Sequence, residues 1–357
     1  KAAAFEVESA RQMARAAFDP DKATVYYNFD ENNIAENNLP LKVWGVQQSL
    51  AFPATYVWQH REAKHRLGIR EWELERLKNI LVRDVKTAYL ELAFQKHLLL
   101  NYQMLDSNYS KISDAALKNF QYGETGKLEY LTLKSKSKEI ALQLDKISSD
   151  MNAAKIRLTA LMKSVEPFEV EPVEYKPIDL MENNELMAEA GRYYTLNSSA
   201  STAAARVERY SSYPDLQLEY FLGVNNGAEN NRYNGFQIGL GIPLWFPARH
   251  AAVKSKRLLA DAMQQQSDNQ LLQLKSRRDQ LMLELNVRQS RLDYYTTEGI
   301  ELAREIRSAA QLSYQSGGIG LFEYLLSLEN ALRIEVDYLN VVHDYNLIVL
   351  EINHLSL

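Results

Sequence analysis

The sequence predicts a mainly α protein with a small β part, built from one unit that occurs twice. Three observations predict it. The first is a glycine-rich turn found at two places. Shifting the chain by 194 positions lines up Gly123 with Gly317, Gly126 with Gly320, Glu129 with Glu323, and Tyr130 and Leu131 with Tyr324 and Leu325. An aromatic residue precedes each first glycine by three positions, Phe120 and Tyr314. The second is a pair of very long, proline-free apolar patterns at three- and four-residue spacing, 59–117 and 248–312, each leading into one of these turns. The third is a set of four short segments with two-residue alternation, two ahead of each long pattern.

The match extends beyond the turn, and a repeat decides the architecture before any local reading does. Pro20 and Asp21 match Pro214 and Asp215 at the same shift of 194. The Asn-rich stretch 32–38 matches 225–231 at a shift of 193. Gly45, Pro53, His60 and Lys64 match Gly235, Pro243, His250 and Lys254 at a shift of 190. Because the shift returns to 194 at the turn, the second copy carries about one extra helical turn. The expected organisation is a first repeat over 1–163, a linker over 164–180 and a second repeat over 181–357.

In chain order, residues 1–18 read as a short Ala-rich helix that stops at Asp19 and Pro20. A β-hairpin is expected over 24–53, with strands at 24–30 and 43–53, the second ended by Pro53. A long helical hairpin is expected over 59–162: a rod to Leu117, the turn, and a return from Leu128 to Met162. At 1.5 Å per residue the rod would be roughly 90 Å long, far beyond a globular helix. Pro167, Pro172 and Pro177 mark 164–180 as an extended linker. The second unit repeats the plan, with a helix at 184–208, a hairpin over 216–244 and a long helical hairpin over 248–355.

Composition narrows the function. With 24% charged and 46% hydrophobic residues among 357, the chain is of folded type, and two repeats make one body rather than separate domains. A net charge of −5 gives no reason to expect nucleic acid. There is no cysteine, so disulfides and thiolate chemistry within the chain are excluded. No stretch approaches 18 apolar residues, so no helical membrane span is expected. The pattern is already helical at Glu6, which predicts residues before Lys1, where a signal or a lipid-bearing cysteine would lie. No phosphate-binding loop, Gly-x-Ser-x-Gly, His-Glu-x-x-His or dinucleotide fingerprint occurs, so no enzyme and no cofactor is expected.

The strands are the informative part. Leu216, Leu218, Tyr220, Leu222 and Val224 share one face; Gln217, Glu219, Phe221 and Gly223 share the other. Phe236, Ile238, Leu240, Ile242 and Leu244 alternate with Gln237, Gly239, Gly241 and Pro243. In a soluble sandwich the apolar face would be core. In a membrane barrel it would meet lipid, with the polar face lining a lumen. Strands of about 9–11 residues suit a tilted crossing. Four strands cannot close a barrel, and open edges are not tolerated in lipid, so strands from other copies would be needed.

The residues at the strand-to-helix junctions, Leu50 to Pro53 and Gly241 to Leu244, together with the two glycine turns and their Glu-Tyr-Leu continuations, resemble the TolC family of outer-membrane efflux ducts. The resemblance covers the whole chain. The Glu-Tyr-Leu form, with Asp337-Tyr-Leu-Asn340, looks most like the CusC-like heavy-metal branch. It implies a TolC-like fold: a long coiled-coil α-barrel, plus four strands per protomer in a trimeric twelve-stranded membrane β-barrel. It implies a duct subunit of a tripartite efflux system in the outer membrane of a Gram-negative bacterium, reaching into the periplasm. The implied partners are two further copies of the chain, a periplasmic adaptor protein, an inner-membrane RND pump and outer-membrane lipid. The cargo would be metal ions or small toxic compounds, with multidrug export the alternative. A soluble coiled-coil scaffold and a passive porin-like channel are the readings from other classes.

By the same resemblance the periplasmic tip, gate and partner contact would be formed by Tyr122, Gly123, Gly126, Glu129 and Tyr130, and by Tyr314, Gly317, Gly320, Glu323 and Tyr324. Ducts of the family close this end with a tyrosine, an arginine and two aspartates in the second turn. Tyr314 matches the tyrosine, but Ile319, Glu323 and Leu326 stand at the other three positions, so that ion-pair lock is not expected. A ring of six carboxylates from Glu129 and Glu323 of three chains is the replacement. A solvated helix surface is the plainer reading of the same two residues. Trp44, Trp58, Trp245 and Phe246 fit an aromatic belt near the strand ends, or ordinary core. The six histidines form no ligand-spaced set, and no metal site is expected.

Overall fold

The computed structural model describes residues 1–31, 39–123, 126–163, 175–181, 185–225, 232–243 and 246–355. In order the elements are α1 (Ala2–Arg15), β1 (Thr24–Asp30), β2 (Leu41–Leu50), α2 (Pro53–Gln121), α3 (Lys127–Met162), α4 (Glu185–Tyr210), β3 (Asp215–Asn225), β4 (Arg232–Gly241), α5 (Phe246–Tyr294), a π turn (Tyr295–Gly299), α6 (Ile300–Gln315) and α7 (Leu321–Asn353). The succession of a helix, two strands, a long helix and a returning helix thus occurs twice. The chain divides into two compact units, Lys1–Arg76 with Met187–Gln273, and Leu77–Leu186 with Leu274–Leu357. Each unit draws on both halves of the sequence.

The first unit is built on an antiparallel sheet in the order β1-β2-β3-β4. Its central pair, β2 with β3, joins the two hairpins; Trp44 lies opposite Leu222, and Val46 opposite Tyr220. Tyr27 faces Trp44 across β1 and β2, and Tyr220 faces Phe236 across β3 and β4. These rows put the large apolar side chains on one face, where they are exposed: Trp44 at 58%, Phe236 at 77%, Ile238 and Leu240 at 64%. On the opposite face the Tyr26 hydroxyl donates to Glu219. That ring lies over Gly45, where a Cβ would meet it at 2.3 Å; Phe221 covers Gly235 at 2.4 Å in the same way. A side chain at either place would displace the ring that covers it. The helices of this unit meet through small and aromatic residues. Ala200 and Ala203 are buried on α4, and Tyr193 stacks on Trp72 of α2 with centroids 4.1 Å apart.

Several boundaries differ from the sequence reading. β2 ends at Leu50, and Pro53 opens α2 six residues earlier than expected. Proline suits a first helical turn because its missing N–H would have had no partner there. The Phe52 carbonyl accepts from Thr55 N at 2.8 Å, and the Tyr56 hydroxyl accepts from Ala51 N at 3.0 Å, which completes the corner. β4 begins at Arg232 and ends at Gly241, so Ile242 lies beyond the strand, and Leu244 lies outside the described residues. The long helix expected over 248–312 is interrupted by the π turn Tyr295–Gly299. Thr296 and Thr297 hydroxyls bond back to the carbonyls of Leu292 and Asp293 at 3.0 and 2.7 Å. Such back-bonding competes with the regular ladder.

The second unit is a coiled-coil assembly. Its buried residues recur every seven positions: Leu133, Ile140, Ile147 and Ala154 on α3; Tyr109 and Ala116 on α2; Leu274 and Leu281 on α5; Ala303 and Ala310 on α6. A seven-residue repeat on a 3.6-residue helix favours left-handed supercoiling. On α7 the seam runs Leu325, Leu332, Leu339, Asn346, Asn353. The last two are polar because an extended segment lies against them. Asn346 accepts from Ile178 N at 2.8 Å and donates to Lys176 O at 3.0 Å. Asn353 accepts from Met181 N at 2.8 Å and donates to Asp179 O at 3.1 Å. The expected linker is extended over 175–180, and its portion 164–174 lies outside the described residues. One helical turn before Asn346, His343 bridges the Tyr175 hydroxyl at 2.7 Å and the Glu91 carboxylate at 3.1 Å, with Phe94 stacked on its ring. The hydrogen bond from His343 holds the Glu91 carboxyl below the usual range.

Replacing Asn346 by Ala leaves a backbone donor and an acceptor of the strap without partners. The expected loss is about 2–4 kcal/mol, read from urea denaturation of the purified protein. His354 gives a pH test. Burial, with Lys86 and Arg83 nearby, pushes its imidazole below the ordinary histidine value. The folded state therefore favours the neutral ring, which accepts from Lys86 and bonds Asn79 at 2.6 Å. Stability from this residue is complete above about pH 6.5 and declines as pH falls from there toward the folded value. In His354→Asn the urea midpoint is expected to vary less between about pH 7 and 5 than in the parent.

Candidate functional site

The two glycine turns close in the same way. Gly123 and Gly317 take φ values of +77° and +75°, the left-handed conformation in which only glycine avoids a Cβ penalty. Gly123 N donates to Phe120 O, and Gly317 N to Tyr314 O, both at 3.1 Å. In the second turn Gly318 N also reaches Ser313 O at 2.8 Å, which completes a Schellman cap. Gly126 and Gly320 then open α3 and α7 in extended conformation. Glu124 and Thr125 lie outside the described residues.

Each turn is braced by a ring stack across it. Phe120 lies on Tyr130 at 5.4 Å and 7°, and Tyr314 on Tyr324 at 4.8 Å and 10°. The four rings were legible in the sequence only as residues flanking glycines; their pairing is a product of the fold. Glu129 and Glu323 fall in the first turns of α3 and α7, where a carboxylate also suits the positive helix end. Both are exposed, and neither joins an ion pair among the described residues. Tyr122 is 79% exposed. Below the turns the two hairpins share one core that includes Leu133, Ile140, Leu325 and Leu328. Beside it lies a groove of about 460 Å³ lined by Lys136, Glu139, Glu329 and Arg333. Tyr109 donates to Glu329 at 2.9 Å, and Lys136 reaches the same carboxylate at 3.7 Å.

The expected belt residues are distributed differently from the sequence reading. Trp44 lies inside β2, against Tyr27 at 4.9 Å, on the exposed apolar face. Phe246 begins α5 and is exposed. Trp58 belongs to α2, where the guanidinium groups of Arg61 and Arg206 lie 4.6 and 5.7 Å from its ring. Trp245 lies outside the described residues. His60 and His250 line two separate grooves at the strand-to-helix junctions. Among the described residues no group of three or more His, Asp or Glu is placed to hold a metal ion. The asparagine clamp on α7 escaped the sequence reading. Polar residues at seven-residue spacing in an apolar seam were the available signal.

No family model matches the chain, and no curated protein matches it in sequence. Solved structures match it over nearly its whole length. The outer-membrane channel OprN aligns with a TM-score of 0.76 at 16% identity, covering 99% of this chain and 85% of that one. CusC, described through its folding and transmembrane channel formation, gives 0.75 at 12%, covering 98% and 86%. The MtrE outer-membrane channel of Neisseria gonorrhoeae in its open state gives 0.77 at 11%, covering 99% and 84%. The chain has the TolC-like fold. At these identities the likeness is one of fold, and it does not single out the CusC-like branch, since OprN and MtrE match to the same degree.

Gly123→Ala and Gly317→Ala each force a Cβ into the left-handed region. Each is expected to cost roughly 1–2 kcal/mol in urea denaturation. Gly126→Ala, in an ordinary extended conformation with no atom near the added Cβ, is the control expected to change little.

Proposed function

We propose that three copies of this chain form an outer-membrane efflux duct. The observation that carries the reading is the sheet. Most of its apolar face is exposed, while among the described residues β1 and β4 each pair on one side only. Lipid satisfies the face, and neighbouring copies satisfy the edges; three sets of four strands close a twelve-stranded barrel. The seven-residue seams of the second unit suit a periplasmic barrel of supercoiled helices. The TolC-like fold supports both assignments.

The chain would catalyse nothing. An inner-membrane RND pump would supply the energy, a periplasmic adaptor protein would join it to the duct, and the cargo would be metal ions or small toxic compounds selected upstream. The turns around Gly123 and Gly317 would form the tip. There Glu129 and Glu323 of three chains would make a cation-attracting ring of carboxylates. Opening would be a population shift of the hairpins, driven by partner contacts that differ between states.

The test is extraction of the full-length protein from cell membranes. The expected result is recovery with the outer-membrane fraction in mild detergent, at three times the mass of the chain. A detergent-free soluble monomer or dimer would sink the reading and favour a coiled-coil scaffold. Large conductance in bilayers without any partner would favour a passive channel.

A further inference from the structure

We propose that the groove at the start of α5 is a phospholipid site, with acyl chains along the apolar face of the sheet and the headgroup phosphate held by Arg209 and Arg249. The proposal rests on the membrane reading above and deepens it. The groove has a volume of about 450 Å³. Its apolar lining includes Ile242, Pro243 and Phe246; its cationic lining is Arg209 and Arg249, with His250 beside them. Ile242 continues the alternation of Ile238 and Leu240, so the groove prolongs the exposed apolar face toward the helices. A ligand that follows this surface is apolar for most of its length and meets positive charge at its end.

The charges are available to such a ligand. Arg209 and Arg249 are exposed, and among the described residues neither forms an ion pair with a carboxylate. Two guanidinium groups present flat, multi-donor forks that match phosphate oxygens better than ammonium groups do. A second groove, of about 570 Å³, lies where β2 passes into α2, with Leu50 and Leu216 from the same apolar face and Arg61 and His60 beside them. It carries one arginine where the α5 groove carries two; Arg61 lies over the Trp58 ring at 4.6 Å and Arg209 over the Tyr210 ring at 6.0 Å, so ring contact does not separate the grooves but the pair of guanidinium groups does. The phosphate therefore belongs to the α5 groove.

The test is native mass spectrometry of the detergent-purified protein titrated with dioleoylphosphatidylglycerol. Dioleoylglycerol has the same chains without phosphate, and inorganic phosphate has no chains. The expected result is phosphatidylglycerol adducts at least fivefold more abundant than dioleoylglycerol adducts. They should fall at least fivefold in Arg209→Gln/Arg249→Gln and persist in Lys254→Gln/Lys256→Gln, which loses equal charge outside the groove lining. Equal binding of the two lipids, or unchanged adducts in the arginine variant, would overturn the proposal. So would displacement by millimolar inorganic phosphate, which marks a free-anion site, or an altered oligomeric mass with unchanged adducts, which marks a contact between copies. The lipid comparison on the parent protein decides the matter even where the arginine variant misfolds. A detergent-free soluble monomer overturns both this proposal and the duct, whereas a detergent-borne trimer without phosphate-dependent lipid binding overturns this proposal alone.

Discussion

Hydrogen bonding at the two edges of the sheet is the constraint on which the rest depends. Among the described residues, β1 and β4 each leave one row of backbone donors and acceptors without a strand partner. In water such edges invite pairing with any other strand. In hydrocarbon they are untenable, because each unpaired group costs several kcal/mol. The apolar face points the same way. Trp44, Tyr220, Phe236 and Leu240 are too large and too exposed to be stable against water as a continuous layer. Closure with other copies in a bilayer answers both demands at once, whereas a soluble sandwich would need a second layer over the apolar face.

The second unit answers a different constraint. Long helices cannot be held by propensity, so they depend on a seam repeated along their length. The seven-residue recurrence from Leu133 to Ala154 supplies one, and the line from Leu325 to Leu339 supplies another. Where that second line meets a non-helical segment, leucine would leave backbone groups stranded. Asn346 and Asn353 replace it, and each side-chain amide matches one donor and one acceptor of the extended chain. Register is thereby specified: a slip of the strap by one residue would point the wrong groups at both asparagines.

The legible parts of this chain were those with a local cause. The left-handed region favours glycine, so Gly123 and Gly317 announced themselves. Alternation at period two cannot be mistaken over the length of β3, and β1 was read to the residue. The misread parts have causes beyond their own neighbourhood. Pro53 can end a strand or begin a helix, and packing of Phe52 against Tyr210 and Tyr213 accompanies the second use. The π turn at Tyr295 lies in a sequence with no proline, and nothing in its composition forbids a regular helix. Trp58 was placed at a strand end because α2 was expected to start later than it does.

The sequence by itself determined the elements, the turn geometry and the two-faced character of the strands, because each follows from backbone sterics or from the spacing of side chains along one segment. Tertiary structure alone decided that β2 pairs with β3 to join the two hairpins, that Tyr26 reaches Glu219 over Gly45, that rings stack across both turns, and that arginines from α4 and α5 line one groove. Those facts join residues far apart in the chain, and no local pattern specifies a contact whose partner lies in another element.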